Sequence, residues 1–493
     1  MKTMNNMKKI IRIFFLFALL IACEDELDIN TNPNTPTDVE KSLVLTAAQG
    51  SLVTGLGGQL TNLGGFLAQY HTQSPSASQY TNIDTYNMNT DFSDRLWNEL
   101  YAGCLNDLNY VIEKSTEEGD TGSYLIATLL RVYTFQVLTD LYGDIPYSEA
   151  LLGSENITPN TDAGSDIYTG LIAELDAAVT QYNNAPFAST VGSQDAIYNA
   201  NMGDWLKFAN TLKLKLYLRM AYTSQANSAG VMALINDNNF ITSDAKFAIY
   251  EDAQNKANPF YDVQLDRLGD VNNVGSSSLI EFYTANGDPR LEAVYRRNDQ
   301  NLFRGLVQGD RGSFASEVAA NFTRPNVVST TPVYLMTVSE SNFLQAEALI
   351  RYAGGAGADA AYNAGVINSF VTYGLDTNDA QGLISSGGKY EYIPGGVAGT
   401  ESTLRQVMIQ KWASLAYINN IEAFFEVNRT QYPETTTFGN EDYSIGNLVV
   451  SVSSVLTGNQ TPNTIFYPDT EVTKNPNITQ KGSITEKVWW DQK

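Results

Sequence analysis

Apolar residues recur every three or four positions along most of this chain, and that spacing predicts one helix after another. In 122–142 the stripe is Ile126, Leu129, Tyr133, Val137 and Leu141. In 204–223 it is Trp205, Phe208, Leu212, Leu216 and Met220; Lys207, Lys213, Lys215 and Arg219 fall off it, and Asp204 stands where a cap would. Further helices are predicted over 93–114, 165–182, 338–352 and 402–428, and over 42–70 with a middle weakened by glycine. Asp288-Pro289 reads as a helix start. Strand-like runs are few, 247–250 and 447–455. The predicted fold class is all-α dominated with little β. Helix pairs at 93–142 and 165–223 point to tetratricopeptide-like packing, although the strict repeat signature is missing. Long loops rich in Gly, Asn, Ser and Thr lie between helices, among them 71–92 and 253–278; loops of this length tend to be functional.

Composition narrows the class. The chain has 493 residues, 43 % hydrophobic and 17 % charged, enough apolar material for a sizeable core. Acidic residues outnumber basic ones 54 to 30, which disfavours a nucleic-acid partner. One histidine and two cysteines rule out a disulfide scaffold and most His/Cys metal sites, so no metal or cofactor is expected. Residues 1–22 carry Lys2, Lys8, Lys9 and Arg12, no acid, and an apolar run at 13–22. This reads as a secretory leader, because a membrane span needs about 20 apolar residues. Leu20-Ile21-Ala22-Cys23 resembles a bacterial lipobox, which implies cleavage before Cys23 and its acylation. Glu24-Asp25-Glu26-Leu27-Asp28 resembles the export signal of surface lipoproteins. The expected organisation is a leader (1–22), an acidic Asn/Pro-rich lipid tether (23–40) and a single helical domain (41–493). Cys104, left without a partner, reads as a buried small hydrophobe.

Several segments, in order from end to end, resemble the SusD/RagB-like family of outer-membrane nutrient-binding lipoproteins. They include Asp28-Ile29-Asn30-Thr31-Asn32-Pro33-Asn34 and, most specifically, Leu138-Thr139-Asp140-Leu141-Tyr142-Gly143-Asp144-Ile145-Pro146. Ser339-Glu340-Ser341-Asn342-Phe343-Leu344-Gln345-Ala346-Glu347, Gln410-Lys411-Trp412-Ala413 and the closing Val488-Trp489-Trp490-Asp491 also fit. The sequence departs at Val427-Asn428-Arg429-Thr430-Gln431, where the family usually has two arginines and a glycine. The resemblance implies a surface-facing protein held at the outer membrane by its lipid alone. It implies glycans or other nutrients as ligands, a SusC-like TonB-dependent β-barrel transporter as partner, and no catalytic activity. Alternatives within reach are a peptide binder and a glycoside hydrolase.

The recognisable motifs read as scaffold. Gly143 is expected to take a left-handed cap, with Pro146 preventing continuation of the helix. Arg131 and Arg219 are expected to pair with carboxylates such as Glu347 or Glu422. Asp262, Asp266 and Asp270 fit one solvated helix face better than a calcium cage. Two loops combine the aromatic faces and amides that sugars require. One opens at His71 and carries Gln79, Tyr80, Asn82 and Tyr86; the other carries Asn258, Phe260, Tyr261 and Asp262. The candidate ligand contacts are His71, Gln79, Tyr80, Tyr86 and Tyr261.

Overall fold

Helices form where the apolar period predicts them, and they pack in successive pairs. The computed structural model describes residues 39–395 and 399–493, so the predicted leader, Cys23 and most of the tether lie outside the described residues. Lys41–Lys493 form one compact unit. Its first helix, α1 (Lys41–Thr54), runs through a π-helical turn (Gly55–Leu60) into α2 (Thr61–Leu67). A second π-helical turn (Glu99–Leu105) leads into α3 (Asn106–Glu118). α4 (Thr121–Tyr142), α5 (Gly164–Asn184) and α6 (Met202–Arg219) follow, and later α7 (Val338–Tyr352), α8 (Ala358–Thr372), α9 (Gly399–Ser414) and α10 (Asn420–Thr430). The closest pairs are α3 with α4, α4 with α5, and α7 with α8. This is the all-α, tetratricopeptide-like architecture expected. No helix among the described residues is long and apolar enough to cross a membrane.

α4 starts at Asp120, whose carboxylate accepts the Ser123 amide at 2.8 Å. The sequence shows one apolar stripe on α4, but the structure buries nearly the whole helix, because α3, α5 and α6 all pack on it. Cys104 is fully buried 3.5 Å from the Thr134 hydroxyl, and burial pushes its thiol up to about 12. Gly143 ends α4 at φ 80°, ψ −115° rather than in the expected left-handed helical region, and its amide still bonds to the Thr139 carbonyl. That backbone conformation suits glycine alone.

Three other expectations need correction. The cap of α6 is Asn201, whose side chain accepts from the Gly203 and Asp204 amides, not Asp204. The helix predicted over 402–428 breaks between α9 and α10, where Tyr417 adopts φ 56° and Asn419 caps α10. Apolar residues continue through the break as Leu415, Ile418 and Ile421, so the pattern conceals it. Arg131 pairs with Glu174 at 2.8 Å instead of with Glu347 or Glu422.

Lys215 and Arg219, off the stripe of α6, are buried in an ionic network between helices. Arg219 meets Asp140 of α4 at 3.0 Å and Glu422 of α10 at 2.8 Å, and also bonds Glu426. Lys215 meets Glu340 of α7 at 2.7 Å. Lys411 lies 3.4 Å from Glu426, and Arg429 joins Glu426 at 2.6 Å to Glu347 at 2.7 Å. Arg351 closes the edge on Glu347 at 2.7 Å. Glu340 and Glu347, two turns apart on α7, are therefore scaffold. Short strands connect distant loops: Ala245–Phe247 pairs with Val333–Met336, Thr435–Thr437 with Leu448–Val450, and His71–Gln73 with Asn273–Gly275.

Candidate functional site

The ladder from His71↔Gly275 to Gln73↔Asn273 decides where the site forms. It pins together the two loops that carry the predicted ligand contacts, so both border one cavity of about 560 Å³. Thr54, Gly55, Gly58, Gln59 and Asn62 form one wall, from the long first helix. Gln79, Tyr80, Asn82, Ile83, Met88 and Asn89 supply a second. Phe92, Arg95 and Glu99 form a third, and Asn255, Ala257, Pro259, Asp262, Val263, Gln264 and Arg267 a fourth.

Three π-helical turns occur among the described residues, and each contributes to this cavity: Gly55–Leu60, Glu99–Leu105 and Tyr261–Arg267. Such turns widen the helix locally and recur at functional sites. Gly55 lets the first two approach, since a Cβ there would lie 3.1 Å from the Leu100 side chain. Asn258 starts the third; its side-chain oxygen accepts from the Phe260 and Tyr261 amides, and its Nδ2 donates to the Thr331 carbonyl at 2.8 Å.

The loop over 72–90 is held from behind. The Gln73 side chain accepts the Tyr80 amide at 2.7 Å. Asp84 is buried and accepts from the Thr72 hydroxyl and from Gln308 Nε2, each at 2.7 Å. Burial pushes its carboxyl up to about 7, and the Thr72 hydroxyl opposes that only in part. On the open side, Gln59, Gln79, Asn82 and Asn89 have side chains with no hydrogen-bond partner among the described residues. Of the four charged residues on the walls, Arg267 meets Asp262 at 2.8 Å, while Arg95 and Glu99 stand together on the third wall. Asp270 is likewise taken by Arg296 at 2.7 Å and Arg324 at 3.2 Å, so the three aspartates do not form the solvated helix face expected of them. Among the described residues no cluster of three or more His, Cys, Asp or Glu is arranged to hold a metal.

Of the residues singled out from sequence, Gln79 and Tyr80 stand on the cavity wall. His71 does not. It is fully buried, with Nε2 3.0 Å from the Asn62 carbonyl and Nδ1 3.0 Å from the Tyr417 hydroxyl. A carbonyl only accepts, so Nε2 carries the proton and Nδ1 accepts from Tyr417. Burial pushes the imidazole pKa down to about 3, with the Asn62 carbonyl opposing, so His71 is neutral and braces Asn62 from behind the wall. Tyr86 is also buried, its hydroxyl accepting the Ser451 amide at 3.4 Å. Tyr261 is half-buried beside Asp262 and does not border the cavity. Gln59, Asn62, Phe92 and Gln264 escaped sequence reading. For Gln59 and Asn62 the one signal was the cluster of glycines in an otherwise apolar helix, at Gly55, Gly57, Gly58, Gly64 and Gly65.

A helical scaffold with amides, aromatic rings and a few charged groups around an open cavity is the build of a ligand-binding site. A family model described as "Starch-binding associating with outer membrane", SusD-like, matches residues 33–447. The chain belongs to this SusD-like family. Solved structures agree in fold. A SusD homolog from Bacteroides uniformis is 24 % identical, with TM-score 0.74 over 91 % of this chain and 99 % of its own. A chitin-binding SusD homolog from Flavobacterium johnsoniae is 21 % identical, with TM-score 0.75 over 92 % and 98 %. A structure described as a chitin-binding protein is 25 % identical, with TM-score 0.73 over 92 % and 100 %. No curated protein matches.

Proposed function

We propose that this protein is a cell-surface lipoprotein, anchored through Cys23, that captures an uncharged oligosaccharide in the 560 Å³ cavity. It passes the sugar unchanged to a SusC-like TonB-dependent transporter in the outer membrane. The observation that carries the reading is the set of four partnerless amides, Gln59, Gln79, Asn82 and Asn89, facing one space with Tyr80 and Phe92. Amides donate and accept at once and so match hydroxyl groups, while ring faces stack on the C–H faces of pyranoses. A scaffold locked by buried ion pairs supports the reading, because a preorganised pocket binds with little ordering cost. Family membership and the two chitin-binding relatives favour starch- or chitin-derived glycans as first probes.

The test is calorimetry on residues 24–493 with maltooligosaccharides, chitooligosaccharides and neutral peptides, followed by chromatography of the recovered ligand. Saturable binding of one sugar class, returned at its original length, is the expected result. Shorter sugars in the recovered ligand would make the protein a hydrolase, and binding of peptides alone would make it a peptide carrier.

A further inference from the structure

Gln264 sits on the third π-helical turn, bordering the cavity, and is only 6 % exposed. Its Nε2 donates to the Tyr80 hydroxyl at 2.6 Å, across from the other loop. Its Oε1 is buried with no partner. An amide left one bond short in this way costs stability, and protein interiors keep few of them. Tyr80 has accepted one bond and still holds its own proton to donate. The pair therefore holds one unused donor and one unused acceptor side by side at the cavity wall, the acceptor itself covered from solvent. Reversing the amide does not alter this. Tyr80 would then donate to Oε1, leaving its own lone pair as the acceptor and the Gln264 N–H as the donor.

We propose that Tyr80 and Gln264 form the selective end of the cavity and read two adjacent hydroxyl groups of an uncharged sugar ring. The proposal rests on the binding function given above and adds which chemistry the site selects. A vicinal diol matches the pair because one hydroxyl donates while its neighbour accepts. A carboxylate accepts only, so it leaves the open acceptor unpaired; an ammonium donates only and leaves the open donor unpaired. Neither Tyr80 nor Gln264 forms an ion pair. The two charged residues of this turn that border the cavity, Asp262 and Arg267, are occupied with each other at 2.8 Å. A site whose buried polar groups are completed only by the right ligand discriminates strongly against analogues lacking one hydroxyl.

The experiment uses residues 24–493 with maltotriose and triacetylchitotriose as probes, each paired with an analogue deoxygenated at one ring hydroxyl. Tyr80→Phe and Gln264→Leu are each expected to weaken binding of the recognised trisaccharide about tenfold, near the value of one hydrogen bond. Wild type is expected to disfavour one deoxy analogue by a similar factor, and both variants are expected to lose that preference. A purely structural role would lower affinity for the parent and the deoxy sugar alike, so loss without the change in preference overturns the proposal. Unchanged affinity in both variants, with wild type binding, overturns it while leaving the carrier function intact. Wild type that binds neither trisaccharide at millimolar concentration removes the sugar reading of the site and this inference with it. A melting temperature for each variant establishes that it folds, and Tyr80→Trp provides a second probe that keeps an aromatic face while removing the hydroxyl.

Discussion

The ionic network beneath α6 and the cavity between the loops handle polarity in opposite ways. In the network every ion faces an opposite charge: Lys215, Arg219, Lys411, Arg429 and Arg351 against Asp140, Glu340, Glu347, Glu422 and Glu426. Burial works against ionisation of Glu422, yet Arg219, Lys215 and Lys411 hold it below the usual carboxylate range. Around the cavity the exposed polar groups are mostly neutral and lack protein partners, and the nearby buried carboxyl, Asp84, is pushed up towards neutrality instead. Charge locks the scaffold, and uncharged hydrogen-bonding capacity is left for the ligand. Burying full charges without partners is too costly to leave open, whereas an amide at a cavity is tolerable.

The strongest way to break this contrast is to unpair the network. Arg219→Met leaves Asp140, Glu422 and Glu426 facing one another without their shared cation, and about 3–5 kcal/mol of stability should be lost in denaturant titrations. Affinity of the fraction that remains folded should not move, because the cavity does not touch Arg219. The converse variant, Gln79→Ala with Asn82→Ala, removes two exposed amides. Its melting temperature should stay within about a degree or two, since such surface changes fall within about ±0.5 kcal/mol, while calorimetry should show oligosaccharide affinity falling about tenfold or more.

A further effect is a pH dependence. The folded-state pKa of Asp84, about 7, lies above the ordinary value of 3.8. Between those pH values the unfolded chain has released the proton and the folded chain has kept it. Stability from this group is therefore fully present below about pH 4 and declines as pH rises to about 7. Asp84→Asn should remove that decline. Its stability relative to wild type should grow from pH 4 to pH 7 and level off above, as followed by thermal melts across the range.

Much of the scaffold was legible in the sequence. The helix over 338–352 forms as Val338–Tyr352, because period and caps agree there. The break before α10 was not legible, because apolar residues run through it while Asn419 starts the new helix by accepting the Glu422 amide. The network was legible in part: the pairing of Arg219 with Glu422, 203 residues away, was expected and forms, but Lys215, off the stripe of α6, carried no sign that it is buried against Glu340. The site was half legible. Both loops were recognisable from composition, but a three-residue ladder brings them together, and ladders that short have no sequence signature. His71 and Tyr86 drew attention as chemistry-bearing side chains, yet both fill space behind the wall.

A π-helical turn holds one residue more than the α-helical turn it replaces. Removing one residue within Gly55–Leu60 would therefore return the first wall to an ordinary α-helical turn while α1 and α2 keep their register. The same holds for Glu99–Leu105, which is followed directly by α3. Length changes that would slip the register of an ordinary helix are confined here to the rim that meets the ligand. Such a deletion would reshape the cavity rim with the charged interior left in place.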